Sequence, residues 1–292
     1  MEIIIKTGII PRIAFSIFGI SIYWYAVIIT TAIVIGYIWA RLHDGRYNIK
    51  YDDVFTLSLF MIPVAIVCAR AYYVIFEWDY YGNNLSEIFN FRNGGIAIYG
   101  ALIGAIATIC IFCKVKRIKI LNLLDYLAPI IPLCQAIGRW GNYINVEAYG
   151  TETNWPIKME IVEGGITKYV HPTFLYESVG NLFVFFILFI MSRNRKFSGQ
   201  ITYMYFIGYA FVRFFVEGLR TDSLMLGNIR ISQMLSLALF ITALALYIYN
   251  FVRFNAKKVE KCRTKIGQKW HKITFFVWLY QDIMVSLICS TN

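Results

Sequence analysis

Stretches of apolar residues, each about as long as a bilayer is thick, alternate along this chain with short polar connections. A helix needs about 20 such residues to cross a hydrocarbon core. The pattern predicts seven spans, near Ile20–Ala40, Val54–Phe76, Gly95–Cys113, Ile120–Ile137, Pro172–Met191, Gln200–Val216 and Ile231–Phe251. The expected fold class is an all-α membrane protein of about seven transmembrane helices. The longest connection runs from Gly138 to His171. Within it, Met159 to Val170 alternates apolar and polar residues around Gly164-Gly165, so two short strands and a tight turn are expected. The chain divides into a polytopic domain over 1–252 and a basic tail over 253–292. Ile273 to Cys289 in that tail is apolar but carries Gln281 and Asp282, which fits an amphipathic surface segment better than an eighth span.

Composition agrees with lipid as the main solvent. Of 292 residues, 59% are hydrophobic and 15% charged, and the mean hydropathy is +0.58. So few charges cannot cover a water-facing surface of this size. The net charge is +11, and its placement identifies its role. Arg41, Arg46 and Lys50 follow the first span; Lys114, Lys116, Arg117 and Lys119 the third; Arg193, Arg195 and Lys196 the fifth; and a basic tail the seventh. The intervening loops hold fewer, among them Arg92, Lys158, Lys168, Arg220 and Arg230. Clusters on alternate loops are topology signals, so no nucleic acid partner is expected and the basic side is cytoplasmic. The N-terminus is then outside, the C-terminus inside, and the Gly-Gly hairpin extracytoplasmic. Met1 to Gly8 has neither a long apolar core nor a small-residue cleavage site, so no cleavable signal peptide is expected. Cys110-x-x-Cys113 lies among apolar residues without a second pair nearby, which favours buried thiols over a metal site.

Charges inside spans are costly and mark function or buried pairing. Arg70, Arg139, Arg213 and Glu217 are of this kind. Arg213 and Glu217 share a helical face, and an ion pair that only holds helices together is one reading of them. The run Gly138-Arg139-Trp140-Gly141-Asn142-Tyr143-Ile144-Asn145-Val146-Glu147-Ala148-Tyr149-Gly150 begins where an apolar run ends. Its arginine offers a forked donor suited to phosphate oxygens. Tyr99, between packing glycines, and His171, before Pro172, open two other spans on the same side. Arg139, Asn142, Asn145, Glu147, Tyr99, His171, Arg213 and Glu217 thus gather at one membrane boundary, as a site for an anionic lipid headgroup requires. A transporter would call for inverted repeats, and none is evident. An intramembrane protease would call for Gly-x-Ser-x-Gly or facing Asp residues, which are absent.

The Gly138–Gly150 run resembles the signature of the bacterial phosphatidylglycerol–prolipoprotein diacylglyceryl transferase family, Gly-Arg-x-Gly-Asn-aromatic-x-Asn-Gly-Glu-x-x-Gly. The resemblance extends to Trp24-Tyr25, Gly94–Gly104, His171–Glu177, Tyr209–Arg220 and Ser232–Ser236, in the family's order and seven-span layout. Two departures stand out: Val146 replaces the usual Gly, and Tyr99 stands where many members have His, although Tyr also occurs there. The resemblance implies transfer of the diacylglyceryl group of phosphatidylglycerol to the lipobox cysteine of a prolipoprotein, forming a thioether and releasing glycerol phosphate. It implies a protein of the bacterial cytoplasmic membrane whose partners are membrane lipids and prolipoproteins, with no metal and no cofactor. It places Arg139, Arg213, Tyr99 and Glu147 in the catalytic set. It places Tyr25, Gly141, Asn142, Asn145, Gly150, His171, Tyr209 and Glu217 around the substrates. Tyr99, His171 and Glu147 compete for the role of base.

Overall fold

A computed structural model describes residues 2–90, 94–222, 225–226 and 229–289, with residues 226, 229 and 261–289 given by backbone course alone. The apolar stretches are helical: α1 (Trp24–Leu42), α2 (Tyr51–Phe76), a single turn α3 (Trp78–Tyr81), α4 (Ile98–Lys116), α5 (Ile120–Leu127), α6 (Ile130–Asn145), α7 (Thr173–Arg193), α8 (Gln200–Leu219) and α9 (Ile231–Cys289). Among the described residues, α1, α2, α4, α7 and the Ile231–Glu260 part of α9 are long and apolar enough to cross a membrane. The bent pair α5–α6 is a sixth candidate. Seven spans were expected. The difference is α8, whose tyrosines and Arg213/Glu217 pair lower its hydropathy below that of the others. Two units divide the chain, 1–244 and 245–292. The second is helical through Cys289, and the amphipathic character expected of Ile273–Cys289 lies outside the described side chains.

Two predicted boundaries shift for local reasons. Ile20–Tyr23 is a strand and not the start of a helix. It pairs antiparallel with Ile13–Ile17 across Phe18-Gly19, both at positive φ. A turn of that backbone shape matches strand twist, and alternating Ile-Ser-Ile-Tyr suits a pleated edge. The fourth span, expected as one helix over Ile120–Ile137, breaks near Ala128-Pro129 with a bend of 47° and continues to Asn145. Pro129 supplies no N–H, and its ring crowds the carbonyl four residues back.

The strands are β1 (Ile3–Lys6), β2 (Ile13–Ile17), β3 (Ile20–Tyr23), β4 (Ile157–Glu163), β5 (Ile166–Val170), β6 (Met225–Leu226) and β7 (Ile229–Arg230). The Gly-Gly hairpin forms as predicted, with Glu163 paired to Ile166 and both glycines at positive φ. Strand β1 joins it in parallel against β4. The inward side of this small sheet buries Met159, Ile161 and Val170 against Phe174 at the start of α7. That contact ties the Gly138–His171 connection to the helices.

Close helix packing follows the small residues. Gly100 and Gly104 of α4 lie against Cys68 and Ala69 of α2, leaving no room for a Cβ. Gly180 of α7 and Gly208 of α8 accept Val212 and Val184 in the same way. Fully buried Asp125 of α5 anchors α8: it accepts from the N–H groups of Gly199 (2.7 Å) and Thr202 (2.9 Å) and pairs with Arg195 at 2.8 Å. These are the orphan donors of a helix start, capped here by a residue from another helix.

Candidate active site

Three helices each carry a charged residue to one place. Arg139 lies in the last two turns of α6, Glu177 in the second turn of α7, and Arg213 and Glu217 one turn apart near the end of α8. Glu177 joins them. Its Oε1 forms an ion pair with Arg139 Nη2 at 2.6 Å, and its Oε2 accepts from Arg213 Nη1 at 3.2 Å. Arg213 Nη2 also reaches Glu217 Oε2 at 2.6 Å. The two carboxylates are nearly sealed, at 3% and 2% side-chain exposure, whereas Arg139 and Arg213 keep 24% and 17%. The acidic groups are thus the buried supports and the arginine side chains the more accessible members. Two arginines this close repel one another, and the shared carboxylate offsets that repulsion while aligning both forks.

Toward the end of α6 the network continues through amides. Arg139 Nη1 donates to Asn142 Oδ1 at 3.3 Å, and Asn142 Nδ2 donates to Glu147 Oε1 at 2.8 Å. Asn145 approaches the same oxygen at 3.4 Å. Glu147 itself is solvent-exposed. The backbone explains the reach: Glu147 N–H bonds to Asn142 O at 3.0 Å and Val146 N–H to Tyr143 O at 3.2 Å, the double closure of a Schellman helix end. Val146 takes the left-handed position of that motif, φ 54°, where glycine is the unstrained choice. The one departure from the signature thus sits where the backbone turns left-handed. Val146 is retained with compensation, because its side chain packs on the core formed by Met159, Ile161, Val170 and Phe174.

The glycines of the motif permit close approach. A Cβ on Gly141 would stand 2.5 Å from the ring of Tyr25, which places that tyrosine of α1 against α6 beside Asn142. At Gly150 a Cβ would collide with His171 Cβ at 2.7 Å. Gly150 forms a bridge to Arg220, and the neighbouring Thr151 N–H bonds to Leu219 O, so the motif's end closes over the end of α8. Tyr209 stacks on Tyr205 at 5.9 Å, one turn before Arg213, and lies in the electrostatic field of both arginines and both carboxylates.

Two predicted members stand apart from this network. Tyr99, at the start of α4, is 43% exposed, and its ring neighbour is Tyr72 of α2 at 6.4 Å. His171 is buried beside Trp155 (5.7 Å) and faces Tyr176 Oη through Nδ1 at 3.3 Å. Burial lowers its pKa below the ordinary histidine value and favours the neutral ring. Arg70 is buried as well, but its guanidinium donates to the carbonyls of Glu87, Ile88, Asn90, Gly94 and Gly95, and so shapes the loop before α4.

Sequence reasoning overlooked Glu177. The signal is present: two spans each bring an arginine toward one boundary, and the spacing supplies a carboxylate, Glu217, for Arg213 but none for Arg139. Glu177, in an otherwise uncharged helix start, is the missing counter-charge.

Comparison with known proteins gives this geometry a family context. Residues 12–249 match the family described as prolipoprotein diacylglyceryl transferase. A phosphatidylglycerol–prolipoprotein diacylglyceryl transferase of Finegoldia magna is 52% identical over 240 residues, covering 81% of this chain and 94% of the relative. Proteins of the same name from Clostridioides difficile and Ligilactobacillus salivarius are 46% and 45% identical, over 82% and 85% of this chain and 94% and 95% of theirs.

Proposed function

The chain belongs to the prolipoprotein diacylglyceryl transferase family, and from that premise we propose how its residues share the reaction. The protein is a transferase that moves the diacylglyceryl group of phosphatidylglycerol onto a prolipoprotein. In the proposed reaction the acceptor is the lipobox cysteine. Its thiol gives up a proton, the sulfur bonds to the glycerol carbon, and the bond from that carbon to the phosphate oxygen breaks. Glycerol phosphate leaves with one more negative charge than the phosphodiester carried.

That developing charge is what the cluster is suited to meet. Arg139 and Arg213 bind the phosphate through their accessible faces, with Asn142 orienting the headgroup and Glu177 and Glu217 holding the forks in place. The observation carrying this reading is the shared carboxylate, Glu177, which bridges the two arginines within the residues that match the family. Glu147 is the base best supported, because it alone of the three contenders is hydrogen-bonded into the network that reaches Arg139. The Tyr99 hydroxyl serves as a headgroup contact from α4, and Tyr25 and Tyr209 flank the lipid. His171, with Gly150, supports the closure over α8.

The membrane arrangement follows the charges. Helix α8 also crosses, as the sixth span in chain order and bringing the total to seven, its ionic groups turned into the bundle where partners satisfy them. The N-terminus and the β4–β5 hairpin are extracytoplasmic, and residues 253–292 lie on the cytoplasmic side, in the cytoplasmic membrane of a bacterium. No nucleic acid takes part.

The test is direct. Purified protein is incubated with phosphatidylglycerol and a synthetic lipobox peptide, and the peptide is weighed. A mass gain of one diacylglyceryl group on the cysteine is expected with phosphatidylglycerol, and none with a Cys→Ser peptide. No gain with an intact peptide and a folded protein would refute the assignment.

A further inference from the structure

A second concentration of positive charge lies at the far end of α5–α6 from the arginine cluster. There the ends of α2, α4 and α5 enclose an open recess of about 390 Å³. Lys50, Lys116, Arg117 and Lys119 line it together with Asn122, and Asp53 is the one carboxylate among its lining residues. Asp53 is engaged, with Lys116 at 3.6 Å and with the Lys50 N–H at 3.3 Å. Among the described residues no carboxylate pairs with Lys50, Arg117 or Lys119. We propose that this recess is a binding site for an anionic phosphate ester, separate from the transfer site, and that a lipid headgroup of the basic-side leaflet occupies it.

Three observations support this. First, positive-inside charges need only be exposed, yet here Lys50 and the 116–119 segment, far apart in sequence, bring their cations to one concavity. The start of α5 opens onto the same space without a side-chain cap, adding the partial charge of a helix N-terminus.

Second, the backbone around the recess is held in costly shapes. Of the six non-glycine residues at positive φ among the described residues, Tyr47, Asn48 and Arg117 line this recess. Arg117 occupies the left-handed position of another Schellman closure, with Ile118 N–H on Cys113 O at 2.9 Å. Glycine would be the cheaper residue there. An arginine in that position keeps a phosphate-shaped donor at the mouth at the expense of strain.

Third, the flanks are apolar. Val115 and Ile120 beside the recess are 74% and 40% exposed. Surfaces of that kind suit the acyl chains of a lipid whose headgroup sits among the lysines, which favours a lipid over a free ester. The site does not rest on the transferase reading.

Arg117→Gly is an informative variant because it deletes the cation while relieving the left-handed strain, so folding should hold or improve. Lys119→Gln is added in a double variant. The full chain in a neutral detergent is titrated with tail-labelled phosphatidylglycerol, with phosphatidylcholine as control and soluble glycerol phosphate as competitor. Each cation near a membrane surface contributes about fivefold in binding. The original chain should bind an extra equivalent of phosphatidylglycerol beyond the transfer site, with affinity at that extra site weakened about fivefold by Arg117→Gly and about 25-fold by the double change. Phosphatidylcholine should show no such difference. If glycerol phosphate displaces the extra equivalent only at far higher concentration, the lipid is the occupant. If it displaces it equally well, the phosphate-ester site stands and its source is soluble. Identical stoichiometry and affinity in all three proteins would overturn the site. Transfer activity of the variants, which lie far from Arg139, is measured alongside and should be unchanged, so a failed transfer assay and a failed binding assay point to different errors.

Discussion

Glu177 is the residue on which the candidate site converges, since each of its two oxygens takes one arginine. Changing it to Gln keeps the shape but removes the charge that offsets two guanidinium groups. Breaking one side of a buried charge network costs about 3–5 kcal/mol in general. Arg139 and Arg213 are partly open to solvent, so the stability loss should lie at or below the lower end, while alignment is lost fully. Glu177→Gln is expected to cut thioether formation about 10²-fold or more. Combining it with Arg139→Ala should add little further loss, because both changes dismantle one unit. Additive losses in the double variant would mean the two residues act separately.

His171 gives a different kind of prediction. Burial lowers its pKa, so the unfolded chain binds the proton more readily than the folded one. Stability linked to this group is therefore present above the unfolded value of about 6.5 and is lost as pH falls from there through the lower folded value. Thermal melting followed from pH 8 to pH 5 should show that decline, and His171→Phe should reduce it. An unchanged acid decline in the variant would remove His171 as its source.

At the scale of elements, α8 depends on a cap supplied from elsewhere. Asp125→Ala would orphan the Gly199 and Thr202 N–H groups and leave Arg195 without its carboxylate. A loss of about 3–5 kcal/mol is expected, read as a lower melting temperature with a proportionate loss of the Arg213 end of the site. Unchanged melting would mean that the packing of α8 on α7, and not the cap, holds α8. What the sequence revealed at this scale depended on how local the signal was. The β4–β5 hairpin was legible because Gly164-Gly165 sits between alternating residues. The Ala128-Pro129 break was written in the sequence too, but a continuous apolar run masked it. The β1–β4 pairing joins residues more than 150 positions apart, and nothing local announces a parallel partner. Within the site, the Gly138–Gly150 motif and the Arg213/Glu217 spacing were readable. The bridge through Glu177 was not, because helix-to-helix contacts have no sequence period.

For the whole molecule, the account predicts an orientation. With the N-terminus outside, a cysteine placed at Lys158 in β4 should react with an impermeant thiol reagent on intact cells. Labelling only after permeabilisation would invert the arrangement and move the arginine cluster to the wrong leaflet for an exported acceptor. In the proposed arrangement the two ends of α5–α6 have distinct duties: one for the transfer chemistry, the other for the basic recess on the cytoplasmic side.

Paired arginines that stabilise the departing phosphate are the core of the proposed chemistry. The most direct measurement is the initial rate of thioether formation by Arg139→Ala, with phosphatidylglycerol and a lipobox peptide at fixed concentrations and with melting temperature recorded in parallel. Loss of one such donor is expected to slow transfer about 10²–10³-fold while the protein stays folded in detergent. Transfer at a near-normal rate would contradict the account.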